Sequence, residues 1–68
     1  MLTYEVVVYN EQVRAKVRVG DHHRTFSDDW GDSHYLEIKA NDEDAAMHKV
    51  RVKYPVKDGF VIEGISMM

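Results

Sequence analysis

Apolar and polar positions follow two different periods along this chain, and the changes of period mark its elements. Residues 3–9, Thr-Tyr-Glu-Val-Val-Val-Tyr, are β-branched and aromatic with a single charge, the composition of a strand. Asn10-Glu11-Gln12 supplies turn chemistry, after which Val13, Ala15, Val17 and Val19 alternate with Arg14, Lys16 and Arg18 up to Gly20. Period two over seven residues predicts a half-buried second strand, close enough to the first to pair with it as an antiparallel hairpin. Residues 20–33 show neither period and read as a connection, although Phe26 and Trp30 should pack down. From His34 to Ala40 the alternation returns, with Leu36, Ile38 and Ala40 on one side, and predicts a third strand.

A helix is expected at about 42–54. Asn41 is placed to cap it, Asp42, Glu43 and Asp44 complement the positive end of its dipole, and Lys49 and Lys53 suit the negative end. Ala46, Met47, Val50 and Tyr54 form one stripe of a 3.6-residue repeat, and Pro55 stops the helix. Val50, Val52 and Tyr54 also alternate with Arg51 and Lys53, so residues 49–54 carry a competing strand pattern with Asp58-Gly59 as its turn. The acidic start, the paired alanines and the proline agree with one another and favour the helix. Phe60-Val61-Ile62-Glu63-Gly64-Ile65 then predicts a last strand.

The expected architecture is one small α+β domain over residues 1–68, a two-layer sandwich of β-β-β-α-β order, its mainly antiparallel sheet covered on one face by the helix. The expected core is Val6, Val8, Val13, Val17, Val19, Leu36, Ile38, Ala46, Met47, Val50 and Tyr54, with Phe60 and Ile62. Aspartate at Val17 or Ile38 should then unfold the domain. Alternation projects the remaining strand residues onto the uncovered face. These are Glu5, Val7 and Tyr9 from the first strand, Arg14, Lys16 and Arg18 from the second, Tyr35, Glu37 and Lys39 from the third, and Val61, Glu63 and Ile65 from the last.

Composition narrows the chemistry. The 68 residues are 44% apolar and 31% charged, with ten valines among them, which suits a packed chain rather than a disordered one. The absence of cysteine removes disulfides, thiol catalysis and cysteine-based metal centres. A net charge of −3 opposes a surface built wholly for polyanions. No apolar run approaches the roughly 20 residues of a membrane span. The opening residues lack the basic and apolar parts of a secretory leader, so a cytoplasmic location is expected.

Three constellations invite a chemical reading. The histidines at 22, 23, 34 and 48 do not have zinc spacing, and Asp28, Asp29 and Asp32 around Trp30-Gly31 lack the ligand order of a calcium loop. Ser27 and Ser33 lie near histidines and aspartates in sequence, but no nucleophile elbow surrounds them, and the four glycines are too scattered for a phosphate loop. No catalysis, cofactor or resident metal is therefore expected. The uncovered face is more informative. Val7, Val61 and Ile65 with the two tyrosines suggest a protein-binding patch, and the face or a free strand edge would suit a homodimer. The alternative is single-stranded nucleic acid, with bases stacked on Tyr9 and Tyr35 and phosphates met by Arg14, Lys16 and Arg18, against which Glu5, Glu37 and Glu63 stand.

Overall fold

A computed structural model describes all 68 residues. The elements run β1 (Leu2–Asn10), α1 (Glu11–Arg18), β2 (His34–Ala40), α2 (Glu43–Lys53) and β3 (Phe60–Met67), with 3-10 turns at Asp28–Gly31 and Val56–Asp58. The class is α+β, a three-stranded antiparallel sheet in the order β2-β1-β3 with two helices. No helix is long and apolar enough to cross a membrane.

The chain order is β-α-β-α-β, and the difference from the expected β-β-β-α-β lies in residues 11–18. The predicted second strand is helix α1. Asn10 ends β1 and caps the helix, its Oδ1 accepting from the Gln12 and Val13 N–H groups at 3.0 and 3.1 Å. Glu11 sits at the positive end of the helix dipole, Lys16 and Arg18 at the negative end. Seven alternating residues also contain helical spacing, because Val13 and Val17 are four apart. Only Val13 is buried, beside Gly31, whereas Val17 is 45% and Val19 76% exposed, so both leave the expected core.

Helix α2 forms where its signals place it, with the cap one residue later than Asn41. Asp42 Oδ1 accepts from the Ala45 N–H at 2.8 Å. Residues 49–53 are helical, which overturns their strand pattern, and Pro55 follows the last turn. Ala46 and Val50 dock on Tyr4, Val6 and Val8 of β1, Ala40 of β2 and Phe60 of β3. Each large side chain buried in this way contributes about 1.5–3 kcal/mol. Tyr4 joins this core unforeseen, while Met47 is only half-buried.

The connection between α1 and β2 closes one end of the core with aromatic rings. Phe26 and Trp30 meet the Phe60 ring edge-on at 5.0 and 5.3 Å, and Tyr54 approaches Trp30 at 5.2 Å. His34 stacks on Trp30 at 4.1 Å while its Nε2 bonds the Asp29 carbonyl at 2.9 Å.

Strand β3 does not alternate throughout. It pairs Val7 with Gly64 but Val8 with Ile62, leaving Glu63 as the extra residue of a β-bulge. Directly paired residues share a face, so the faces change parity at this point. Phe60 and Ile62 lie on the core side, and so do Ile65, opposite Val6, and Met67, opposite Tyr4.

Candidate interaction surface

The face of the sheet away from α2 is set by the odd-numbered residues of β1 and their partners. Glu5 lies between Glu37 and Ser66, Val7 between Tyr35 and Gly64, and Tyr9 beside Val61. Tyr35 is 68% exposed, the largest apolar surface on this face. Glu5 and Glu37 are directly opposed with no cation within ion-pair distance, an unfavourable cross-strand pair. Glu63, on the bulge, accepts a hydrogen bond from the hydroxyl of Ser33, the residue before β2, on the far side of β1.

The basic residues expected on this face are on α1 instead, and they do not form a stripe. Arg14 and Arg18, one helical turn apart, line a surface groove of about 510 Å³ together with Tyr9, Glu11, Gln12 and Ala15. The Arg14 guanidinium stacks 3.6 Å from the centre of the Tyr9 ring, and its Nε donates to the Gly31 carbonyl at 2.8 Å. Two unconnected contacts thus hold this side chain in one place. Lys16 turns elsewhere and pairs with Asp21 at 3.8 Å, both groups being exposed. Tyr9, Arg14 and Arg18 are therefore brought together, Lys16 is not, and Tyr35 stands two strand positions from Tyr9 on the neighbouring strand. Of the apolar candidates, Val7 and Val61 lie on this face, but Ile65 packs against the core because of the bulge.

The loop histidines are engaged separately. His22 Nδ1 meets the Asp28 carboxylate at 2.9 Å, and its pKa is raised above the usual 6.5 by that hydrogen bond first, then by the charges of Asp28 and Asp21. His23 Nδ1 accepts the backbone N–H groups of Thr25 and Phe26 at 3.0 and 3.2 Å, and its Nε2 meets Gln12 Oε1 at 3.0 Å. Ser33 is committed to Glu63 rather than to a histidine. No three acidic or histidine groups converge closely enough to hold a metal ion.

Two features escaped the sequence reading. One is Asn10, fully buried, whose Nδ2 donates to the Asp58 carbonyl at 3.0 Å while its Oδ1 caps α1. The Asn10-Glu11 pair is a cap signal of the same kind as Asn41-Asp42, but with alternating valines after it the pair reads as turn chemistry. The other is a groove of about 240 Å³ between α2 and β3, lined by Met47, Arg51, Val56, Phe60, Val61 and Ile62. It arises because α2 lies over β2 and β1 and leaves the core side of β3 partly uncovered. Comparison with protein families, curated proteins and solved structures finds no match to this chain.

Proposed function

We propose that this domain is a non-catalytic protein-binding module whose contact surface is the sheet left uncovered by α2. The observation that carries this reading is the exposure of Tyr35 beside Val7 on the sheet face away from α2. Tyrosine and arginine are the residues that most often anchor protein interfaces, and Arg14, held by Tyr9 and Gly31, supplies a fixed cation at one margin of the same face. A side chain already immobilised loses less entropy when a partner arrives. Against the polyanion reading stand the different directions of Arg14 and Lys16 on α1 and the carboxylates of Glu5, Glu37 and Glu63 on the sheet.

The test compares wild type with Tyr35→Ala as immobilised bait in quantitative cross-linking from cell extract. Tyr35 contributes little to the core, so the variant should keep its melting temperature within a few degrees while losing the retained partners. Equal capture by both baits would refute the sheet face as the binding surface.

A further inference from the structure

The outer edge of β3 is unpaired along eight residues and carries neither the lysines nor the prolines that usually guard such edges. Its only ionised side chain, Glu63, is held over the sheet by Ser33. The backbone bonds at the two ends of the β1–β3 pair are Met68 N–H to Thr3 C=O and Glu11 N–H to Gly59 C=O, both 2.8 Å. They fix which residues of β3 face β1. By alternation on either side of the bulge, Phe60, Ile62, Ile65 and Met67 direct their backbone groups outward. The same four side chains lie on the core side.

We propose that β3 pairs with β3 of a second copy of this chain, antiparallel, about a two-fold axis between Glu63 and Gly64. The proposal rests on the protein-binding reading and assigns this edge to self-association. From 60 to 67 the faces run core, open, core, open, open, core, open, core, a sequence that reads the same from both ends. The extra residue at 63 creates that symmetry about the bulge. In this register Phe60 meets Met67 of the second copy, Ile62 meets Ile65, and Glu63 meets Gly64, so no like charges oppose. Every outward backbone group finds an outward partner, giving about eight new hydrogen bonds.

The register also supplies an occupant for the groove beside β3. Met67, 64% exposed, is carried to the Phe60 end of the other copy, where Met47, Val56 and Phe60 line the uncovered apolar surface. Groove and methionine lie at opposite ends of one strand, so a two-fold axis fills both grooves at once. The seam is about 26 Å long, which places the contact at the small end of specific interfaces and makes the dimer concentration-dependent.

Sedimentation from about 10 μM to 1 mM, a range suited to a small interface, should show a reversible monomer–dimer equilibrium. A sample mixing isotope-labelled and unlabelled chains should show contacts between the Phe60 ring and the Met67 methyl. Within one chain these groups are about 23 Å apart, so the signal reports only the pairing between copies. Met67→Lys, and separately Val56→Lys at a position 72% exposed, should leave the monomer folded and raise the dissociation constant at least about tenfold, since each carries an ammonium into an apolar contact twice. A monomer throughout the range overturns the proposal and leaves binding of another protein by the open face standing. A dimer lacking the Phe60–Met67 contact, or indifferent to both lysines, also overturns it.

Discussion

Asn10→Ala tests the joint on which the fold turns from β1 into α1. The asparagine is fully buried and makes three side-chain hydrogen bonds, two closing the start of α1 and one reaching the Asp58 carbonyl before β3. Losing the cap costs about 1 kcal/mol. Leaving the Asp58 carbonyl without its donor adds about 1–2 kcal/mol. The expected loss is therefore about 2–3 kcal/mol, against a total of roughly 3–10 kcal/mol for a chain of this size. At about 4–8 °C per kcal/mol the melting temperature should fall by some 8–24 °C. Asp42→Ala is the internal control, because Asp42 caps α2 from an exposed position through one bond and has no second role. It should lose only about 1 kcal/mol. Urea unfolding followed by circular dichroism measures both. Equal losses for the two variants would refute the reasoning, since they would mean that the buried bond to Asp58 adds nothing.

Other substitutions probe separate parts of the structure. Gly59 has φ 98° and a Cβ there would approach Gln12 Cγ to 2.6 Å, so Gly59→Ala should destabilise by about 1–3 kcal/mol in the same urea assay. Val17→Asp, on the exposed side of α1, should change stability by less than about 1 kcal/mol, whereas Ile38→Asp, packed against the core, should cost at least about 2 kcal/mol. His22 should titrate above 6.5 by NMR and return toward it in Asp28→Asn. Because folding raises this pKa, its favourable pairing is complete below the unfolded value and fades as pH rises through the folded one.

The sequence made the three strands of the sheet and helix α2 legible for different reasons. β1 is a block of β-branched and aromatic residues with almost no competing pattern, and α2 carries cap, dipole and proline signals that agree. Residues 11–18 read as a strand because Val13, Ala15, Val17 and Val19 alternate, although Val13 and Val17 also fit a helix. Tertiary structure settled the matter. α1 needs only Val13 for its packing beside Gly31, and the place beside β1 that a hairpin partner would take belongs to β3, which arrives last in the chain. Periodicity records the spacing of apolar side chains but not which strand occupies that place. With the second strand gone, the basic stripe dissolved: Lys16 turned away, while Arg14 and Arg18 stayed beside Tyr9.

The placement of Ile65 shows how far one residue can redirect a surface. Strict alternation from Phe60 puts Ile65 on the open face with Val7 and Val61, enlarging an apolar patch there. The bulge at Glu63 returns Ile65 to the core side opposite Val6 and leaves Gly64 opposite Val7. The open face becomes smaller and more polar, with Glu5, Glu37 and Ser66 on one row and the Glu63–Ser33 bond spanning another. The apolar residues of β3 then gather along its free edge and beside the groove under α2. The chain thus has two distinct surfaces where a strict strand would have had one. In the proposed readings the face, with Tyr35 and the fixed Arg14, is the contact for another protein and the edge of β3 the contact for a second copy. Deleting Glu63 removes the extra residue and leaves Ile62 opposite Val8 and Gly64 opposite Val7, so Phe60, Ile62, Ile65 and Met67 keep the core side in an unbroken alternation. The deletion should therefore leave the domain folded, as should Glu63→Ala, which loses the same bond to Ser33 but keeps the extra residue. If the deleted chain fails to fold while Glu63→Ala folds, Glu63 is not the residue that β3 can spare and the pairing of Ile62 with Val8 is wrong.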